Sequence, residues 1–485
     1  MHNVLRRKRV AVYDKGWYKS SPVFVQDAAI TGRGLATRLM RRGRAFRREL
    51  DELEKSQWFS SEQLEALQNE RLAALVRHCY AKVPYYRRVM RKLGLTPSDI
   101  TTVADLPKLP FLTKEIVRTE ADALLPEDLG RFGVYRSKTS GTTGTPLKLV
   151  RDVASITREY AFIWRAWRAF GFDLGDSRAI YRGDFIVPPE QTGPPFWRFN
   201  RAERQQFCSM LHLSPKTAPH YFEAMRAYGP KALEAFPTGA DYLARLAREQ
   251  GVEIHFDFVL TSSEPIPPDM RKRIEDTFSC EVIDYYGQAE RVSFAAECPE
   301  HSGLHTAPEY GVTELVEPSG DAPEGTREIV GTPFINYSMP LLRYRTGDLT
   351  RPLDTECPCG RKAPLIAPIE TRVGANILLP DGRCVSYLAL TRVFGPLANI
   401  RRSQLVQDRV DHIRVKVVPG SGFSGDDADS IRTGIRQILS ADVSIDIELL
   451  EDIPIEKSGK LRWFVSELKT DATGGAGSES GGGDA

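Results

Sequence analysis

Cysteine, long apolar runs and an excess of either charge are all scarce in this chain. Seven cysteines among 485 residues are too few for a disulfide scaffold, so we expect thiols or metal ligands. No apolar run approaches the roughly 20 residues that span a bilayer, and the charged start lacks the apolar core of a signal peptide. The 66 basic and 64 acidic residues nearly balance, which argues against a dedicated nucleic-acid binder. We therefore expect a cytoplasmic protein.

The basic side chains are concentrated at the start of the chain. Residues 1–50 contain thirteen basic and three acidic residues. One interpretation is contact with an anionic partner, made by Arg6 to Lys8 and by the basic cluster within residues 41–48. The alternative, which we favour, is a solvated helix face that pairs with acidic residues such as Glu52. An anionic membrane surface is a third hypothesis.

Length and hydrophobic periodicity divide the chain into several units. A chain of 485 residues is longer than one compact domain usually is. Helical spacing of leucine and alanine dominates residues 34–95, with Ser60 or Ser61 as a candidate N-cap. Helices then alternate with short buried strands such as FDFVL and EVIDYYG, and we expect helix throughout HYFEAMRAYGPKALEAF. This alternation predicts an α/β architecture with mixed sheets.

The pattern starts again after about residue 370. HIRVKVVP and SIDIELLEDIP are spaced as strands, and DDADSIRTGIRQILS between them is spaced as a helix. These segments predict a separate α+β module of about a hundred residues, followed by a Gly-rich disordered tail. The expected units are a basic helical N-terminal extension (1–69), a large domain (70–370), a small C-terminal domain (371–470) and the tail (471–485).

The most distinctive motif is a run of small and hydroxyl-bearing residues between two predicted strands. It reads TSGTTGTP over residues 139–146. Its glycines allow backbone N–H groups to approach phosphate oxygens, and its hydroxyls add further donors. The Walker A pattern does not fit it, and taken alone such a run is more often an ordinary turn.

Four more motifs follow in order: SSEP at 262–265, DYYGQAE at 284–290, RYRTGDL at 343–349 and KSGK at 457–460. With this order and spacing the chain resembles the adenylate-forming superfamily of acyl-CoA synthetases, from about residue 70 to 468. The DLPKLPFLTKEIVR segment, the cysteine pairs and the short C-terminal module are similar to the phenylacetate–CoA ligase-like branch, which includes capsule-biosynthesis-type adenylating proteins. The resemblance implies a large adenylating domain and a small, mobile C-terminal lid.

In this superfamily a carboxylate attacks the α-phosphate of ATP, pyrophosphate leaves and an acyl-adenylate forms. The resemblance implies that Glu290 holds Mg²⁺, which prefers carboxylate oxygen. It also implies that Asp348 accepts hydrogen bonds from the ribose hydroxyls and that Arg372 contacts ribose or phosphate. The residues implied to hold the β- and γ-phosphates are Thr139, Ser140, Gly141, Thr142, Thr143 and Gly144. Those implied to shape the adenine slot are Ser263, Glu264, Pro265, Asp284, Tyr285, Tyr286 and Gly287.

The resemblance places Lys460 at the substrate carboxylate and the α-phosphate, where it stabilises the adenylation transition state. In this superfamily the C-terminal domain then rotates, which removes the lysine and forms a thiol-binding tunnel. The hinge usually reads Gly-Arg-x-Asp, whereas this chain has TRVG at 371–374. This departure puts the rotation and the thioester step in question.

Cysteine and histidine recur in two segments with spacings that suit a metal. The first segment has Cys298, His301 and His305, and the second has Cys357 and Cys359. Such ligands can form a closed zinc site, although on spacing alone unrelated thiols and surface histidines explain the pattern equally well. Members of the phenylacetate–CoA ligase-like branch carry a zinc knot in matching GLH and CxCG contexts. That resemblance implies structural zinc on Cys298, His305, Cys357 and Cys359, with His305 chosen over His301.

The motif set predicts an ATP- and Mg²⁺-dependent acid–thiol ligase that adenylates a small carboxylic acid and transfers the acyl group to coenzyme A. The altered hinge slightly favours an alternative, in which the acceptor is an amine, a sugar or a carrier protein, or a cofactor is adenylylated without coenzyme A. A catalytically inactive zinc-stabilised scaffold is disfavoured by the presence of Glu290, Asp348 and Lys460. Aromatic residues near 181–185 and 236–238 suit an apolar or aryl acid.

Overall fold

The structure is a computed structural model. It describes residues 13, 15–130, 133–138, 147–182, 186–373, 376–394, 397, 399–439, 442–455 and 460–468. The predicted phosphate-binding residues 139–144, most of the KSGK motif and the predicted tail at 471–485 lie outside the described residues. The large domain and most of the C-terminal module lie within them.

Helices form the first part of the described chain. They are α1 Gly16–Ser20, α2 Val23–Arg41, α3 Arg44–Ser56, α4 Ser61–Lys82, α5 Pro84–Lys92 and α6 Lys114–Thr119. Helix α4 begins with a capping box, because Ser60 Oγ accepts from the Gln63 N–H and the Gln63 side chain accepts from the Ser60 N–H. This confirms Ser60 as a predicted N-cap. The proposed unit boundary at residue 70 falls inside α4.

A hairpin and a ten-stranded mixed sheet follow. The hairpin strands β1 Val134–Lys138 and β2 Lys148–Asp152 are antiparallel and lie on either side of residues 139–146, as predicted. The strands of the sheet are β3 Arg178–Tyr181, β4 Trp197–Asn200, β5 Gln205–Cys208, β6 Ala232–Ala235, β7 Phe258–Ser262, β8 Glu281–Gly287, β9 Phe294–Ala296, β10 Leu304–Thr306, β14 Pro352–Leu353 and β15 Leu365–Ile366.

The order in this sheet is β14-β15-β10-β9-β8-β7-β6-β3-β5-β4. Strands β5, β3, β6, β7 and β8 are parallel neighbours, and antiparallel strands extend the sheet on both sides. The helices of this region are α7 Val153–Arg168, α8 Ala218–Tyr228, α9 Pro237–Glu249 and α10 Pro268–Phe278. The carboxyl ends of parallel strands are where α/β sheets bind ligands.

The expectation of one helix throughout HYFEAMRAYGPKALEAF is wrong. Helix α8 ends at Tyr228, Gly229 adopts the left-handed conformation with φ of 60°, and Pro230 follows. The ALEA segment is then β6, an inner strand of the parallel sheet. Alanine, leucine and glutamate favour helix intrinsically, but burial between two strands overrides that weak preference.

A smaller antiparallel sheet lies beside the large one. Its strands are β11 Gly311–Val316, β12 Arg327–Pro333, β13 Tyr344–Thr350 and β16 Thr371–Arg372, in the order β11-β12-β13-β16. The Leu112 N–H donates to the Arg343 carbonyl and the Arg345 N–H donates to the Leu112 carbonyl, both at 2.9 Å. The segment before α6 is therefore fixed against the start of β13.

The C-terminal module has its own core. Its elements are β17 Asn376–Leu378, β18 Cys384–Ser386, α11 Leu388–Phe394, β19 Ile400–Arg409, β20 His412–Pro419, α12 Gly425–Ile438, β21 Ser444–Leu449 and β22 Phe464–Ser466. The order β21-β20-β19-β22 and the packing of α12 residues Ile431 and Ile435 among buried strand residues confirm the predicted strands and helix. The module contacts α9, where Glu249 pairs with Arg401 at 2.6 Å.

Candidate active site

A buried carboxylate lies where three strands meet. Asp348 on β13 is in register with Arg372 on β16, and Arg372 Nε donates to Asp348 Oδ1 at 2.5 Å. Tyr286 on β8 donates its hydroxyl to Oδ2 at 2.8 Å. Asp348 raises the pKa of Arg372. A carboxylate oxygen accepts more than one hydrogen bond, so Asp348 retains acceptor capacity for a ligand.

Glu290 lies close to the group formed by Asp348, Arg372 and Tyr286. Tyr344 on β13 donates its hydroxyl to Glu290 Oε1 at 3.0 Å. Burial, Glu290 and Asp348 all raise the pKa of Tyr344, so both carboxylates lie near this side chain. The predicted residues Tyr286, Glu290, Asp348 and Arg372 are thus brought together, and we refer to these four residues as the Asp348 site. Carboxylate oxygen is the donor that Mg²⁺ prefers, so Glu290 fits that ion.

A cation that was not identified from the sequence faces this site. Lys114 is the first residue of α6, and burial lowers its pKa; Arg372 adds to this effect, whereas Glu290 and Asp348 oppose it. Among the described residues, no hydrogen bond or ion pair is made by the Lys114 ammonium group. A partly buried lysine beside two carboxylates, without a partner of its own, is available to an anionic ligand.

The segment that carries Lys114 is rigidly held. Leu112 forms a parallel β-bridge with Tyr344. The Phe111 ring lies between the guanidinium groups of Arg343 and Arg345, each 4.2 Å from the ring centroid, a distance at which cation–π attraction is effective. The sequence signal for this arrangement is only the TKEIVR context, in which nothing marks the lysine as part of a site.

Lys460 reaches the large domain from the C-terminal module. Its Nζ donates to the Ser263 carbonyl at 2.8 Å and lies 5.3 Å from the centroid of the Phe236 ring. Ser263 directly follows β7, and Phe236 directly follows β6. Burial lowers the pKa of Lys460, and neighbouring Glu264 opposes that shift. The predicted catalytic lysine is therefore located at the carboxyl ends of the central parallel strands.

The SSEP and DYYG motifs are also located at these strand ends. Ser263 and Pro265 follow β7, and Gly287 ends β8. Glu264 Oε2 accepts from the backbone N–H and the hydroxyl of Thr238 at 3.1 and 2.8 Å. Glu264 Oε1 is buried and has no hydrogen-bond partner among the described residues. This oxygen is a polar group that a bound ligand could satisfy.

Two residues expected to shape the adenine slot are engaged elsewhere. Asp284 is buried and accepts from Thr261 Oγ1 at 2.7 Å, and burial together with neighbouring Glu297 raises its pKa to about 7. The Tyr285 ring stacks on Phe294 with centroids 5.5 Å apart. Because successive strand residues face opposite sides of a sheet, Tyr285 and Tyr286 point apart. Asp284 and Tyr285 are thus held by neighbours within the sheet, and their part in the adenine slot stays a prediction.

The region expected to line the acyl pocket contains a mostly buried arginine that sequence reasoning missed. Arg182 directly follows β3, and its guanidinium donates to Glu234 at 3.1 Å and to Ser262 Oγ at 2.7 Å. It also lies 4.7 Å from the centroid of the Phe236 ring. Residues 183–185 lie outside the described residues. The described wall combines an aromatic ring with an ion pair, so it is more polar than the expected aryl pocket.

The predicted zinc ligands converge. The ligand atoms of Cys298, His305, Cys357 and Cys359 all lie within 4.8 Å of one another. His305 Nδ1 lies 3.2 Å from the Ala363 carbonyl, which places the ring proton on Nδ1 and leaves Nε2, 3.3 Å from Cys359 Sγ, for a metal. Burial lowers the pKa of His305, which favours the neutral, metal-binding imidazole. The donor set and its burial fit zinc.

His301 lies outside this cluster. Its Nε2 is 3.0 Å from Glu281 and its Nδ1 is 3.4 Å from Glu297, and Glu297 raises the pKa of His301. Both ring nitrogens therefore face carboxylates, an arrangement that suits a protonated imidazole and not a metal ligand. The geometry favours His305 over His301, as the motif context predicted.

Comparison with known proteins gives two family matches. The AMP-binding enzyme family matches residues 66–349, and the CapK C-terminal domain matches residues 377–467. Protein CapK of Staphylococcus aureus is 24% identical over 459 residues, which cover 93% of this chain and 99% of that protein. A phenylacetate-coenzyme A ligase of Thermus thermophilus is 28% identical over 353 residues, which cover 66% of this chain and 72% of that protein.

Solved structures share the fold. A 2-hydroxyisobutyryl-CoA ligase in its postadenylation state matches with a TM-score of 0.68 at 17% identity, covering 85% of this chain and 91% of that one. The same ligase in its thioesterification state matches with a TM-score of 0.53 at 19% identity and the same coverage. None of the described helices is long and apolar enough to cross a bilayer.

Because the AMP-binding match covers more than half of the chain, the protein belongs to the AMP-binding enzyme family and is an adenylate-forming ligase, related to the phenylacetate–CoA ligase-like branch.

Proposed function

We propose that this ligase activates a small carboxylic acid with ATP, releases pyrophosphate, and transfers the acyl group from the adenylate to coenzyme A. The observation that carries the proposal is the position of Lys460 at the strand ends next to the Asp348 site. Arg372 and Asp348 both contribute to the electrostatic environment of Lys460. Cations and carboxylates in this arrangement suit a triphosphate and a carboxylate bound side by side.

Asp348 is the proposed ribose-binding group. Its two oxygens are oriented by Arg372 and Tyr286, and each keeps a lone pair for a ribose hydroxyl. The Tyr286 ring, fixed by its hydroxyl, offers a face to adenine. Residues 139–144, which lie outside the described residues, keep the phosphate-binding role that the motif implies.

In the adenylation step an oxygen of the acid attacks the α-phosphorus, and the bond from that phosphorus to the pyrophosphate oxygen breaks. Both reactants are anionic, so no proton transfer is needed and charge must be neutralised. We assign Lys460 to the acid and the α-phosphate, and Lys114 to the departing pyrophosphate, because fixed charges lower the barrier without reorganising. Magnesium held by Glu290 would add positive charge at the phosphate oxygens.

Zinc is proposed as a structural ion on Cys298, His305, Cys357 and Cys359. Three of these residues are buried and the fourth is partly buried. The ligands come from β10, from the segment after β9 and from the segment between β14 and β15. A closed four-ligand site of this kind stabilises the fold. Here the ion would link these three segments at one edge of the ten-stranded sheet.

Rotation of the C-terminal module is proposed to separate the two half-reactions. In the present arrangement Lys460 contacts Ser263 at the strand ends, the position that we propose for the adenylation step. Arg372 is held by Asp348, and Gly374 of the altered hinge lies outside the described residues. The names of the phenylacetate-coenzyme A ligases among the relatives support coenzyme A as the acceptor.

Product analysis with a panel of acceptors tests this proposal. The enzyme is incubated with ATP, Mg²⁺ and an acid that supports adenylation, then with coenzyme A, an amine, an amino sugar or a carrier protein. We expect an acyl-CoA thioester with coenzyme A only. Acyl-AMP that transfers to another acceptor but not to coenzyme A would establish the alternative function.

A further inference from the structure

Helix α2 packs on the rest of the large domain through polar and small residues and through Ile30, which is buried against Ile186 and Val187. Its Asp27 Oδ1 accepts from the Phe199 N–H at 2.9 Å, and its Thr31 hydroxyl donates to the Phe199 carbonyl at 3.3 Å. Gly34 is so close to Asn200 that an added Cβ would lie 2.1 Å from that side chain. The helix therefore covers the outermost strand β4, whose unpaired backbone groups need such a partner.

The opposite side of α2 is apolar and faces solvent. Phe24, Leu35 and Leu39 are 73%, 50% and 72% exposed, and Ala28 and Gly32 between them are also exposed. The spacing from 24 through 28, 32 and 35 to 39 follows one side of a helix that turns 100° per residue. We call these five residues the α2 apolar face. Large apolar side chains aligned on the solvent side, in addition to the buried Ile30 on the packed side, indicate a partner.

The surroundings of this face are basic. Between residues 15 and 48 the chain has nine basic residues and one acidic residue, Asp27, whose carboxylate accepts from the Phe199 N–H. Lys15, Lys19 and Arg33 are exposed and make no ion pair among the described residues. Arg48 does pair with Glu52 at 3.8 Å, as the solvated-helix interpretation expects. The Arg48–Glu52 pair neutralises only part of the positive charge carried by residues 15–48.

We propose that the α2 apolar face docks on an anionic lipid bilayer surface. An exposed apolar helix face with flanking cations is the combination that holds an interfacial helix at anionic headgroups. A second copy of the chain fits less well, because a symmetric interface through this face would bring two basic regions together. Docking would hold the enzyme at the membrane through α2, and none of the five residues of the α2 apolar face belongs to the Asp348 site.

Vesicle co-sedimentation tests the proposal with the full-length protein. The vesicles contain phosphatidylglycerol and phosphatidylcholine in equal parts, or phosphatidylcholine alone. We expect binding to the anionic vesicles that is at least about tenfold stronger than to the neutral ones and that weakens with added salt. The combined F24S, L35S and L39S variant removes the apolar contact and should reduce binding at least about tenfold. Combined K15E and K19E, which changes two exposed cations just before α2, should weaken binding to anionic vesicles only.

The matched control is a combined L93S and L449S variant, whose leucines are 50% and 55% exposed elsewhere on the surface. It should bind as the wild type does. All variants should retain the wild-type unfolding temperature and ATP–pyrophosphate exchange, because none of the changed residues contacts the Asp348 site. The proposal fails if the wild type does not bind anionic vesicles, or if the triple serine variant binds them as strongly as the wild type does. It also fails if sedimentation velocity shows a wild-type dimer that the triple variant abolishes.

Discussion

The ammonium group of Lys460 lies 2.8 Å from the carbonyl oxygen of Ser263, although 197 positions separate the two residues in the chain. The contact joins the C-terminal module to the end of β7 in the large domain. It places a cation beside a buried glutamate, an aromatic ring and the Asp348 site. The proposed adenylation step depends on this contact, because it is what brings the Lys460 ammonium group to the large domain.

The pH dependence of adenylation should report the ionisation of Lys460. Burial lowers the pKa of this residue below its ordinary value of 10.5, and only the protonated amine can stabilise the transition state. Activity should therefore fall with rising pH earlier than an ordinary lysine would predict. Lys460→Arg keeps its charge at all accessible pH values, so any residual activity should lose that alkaline fall. A wild-type fall that persists unchanged in the arginine variant would assign the titration to another group.

Lys114 should contribute to chemistry and not to folding. Removing one fixed cation from a phosphate site typically reduces the rate by about a hundredfold, and we expect a loss of that order for Lys114→Ala in ATP–pyrophosphate exchange. The unfolding temperature should stay unchanged. Lys108→Ala is the matched control, because Lys108 lies at the surface, where it pairs with Asp105 and donates to the Asp99 carbonyl, and such exposed pairs contribute little. Equal activities of the two variants would remove Lys114 from the site.

Zinc content should depend on the four converging ligands. Cys357→Ser should reduce bound zinc from about one ion per chain to nearly none and should lower the unfolding temperature. Cys280→Ser is the control, since Cys280 is a partly buried thiol outside the cluster. Metal analysis and thermal unfolding of both variants provide the test. Unchanged zinc in the Cys357 variant, or no zinc in the wild type, would contradict the assignment.

Asp284 should make the stability of the large domain depend on pH. Burial raises its pKa to about 7, so between about pH 4.5 and 7 the folded protein retains a proton that the unfolded chain has released. The free energy of unfolding should therefore decrease as pH rises through this range, by at most about 1.4 kcal/mol per pH unit. Asp284→Asn should abolish that contribution. Denaturant titrations of both proteins across the range measure it, and identical slopes would refute the ionisation.

The sequence motifs predict a large part of the site because each is a local run at a strand end. SSEP begins at the last residue of β7, DYYG forms the end of β8, and RYRTGDL overlaps most of β13, so recognising the motifs is nearly equivalent to locating the site. No sequence motif identifies Lys114. Its position at the site depends on the bridge between Leu112 and Tyr344, a contact that no local pattern specifies.

Two other features of the structure have the same physical origin. The ALEA segment favours helix by local propensity and becomes β6 because the parallel sheet supplies a buried place between two strands. Asp284 belongs to a predicted motif, yet its side chain points into a hydrogen bond with Thr261. Motif membership predicts where the backbone runs, while the direction of each side chain depends on packing that only the structure contains.

The most direct test of the central claim is ATP–pyrophosphate exchange measured across a library of carboxylic acids, because it reports adenylation whatever the acceptor is. The account predicts exchange by the wild type that requires both Mg²⁺ and a particular class of acid. It predicts a loss of about a hundredfold or more in Lys460→Ala and wild-type exchange in Lys416→Ala, a change to a lysine on β20 of the same module. Exchange that survives in Lys460→Ala, or its absence with every acid despite ATP binding, would contradict the account.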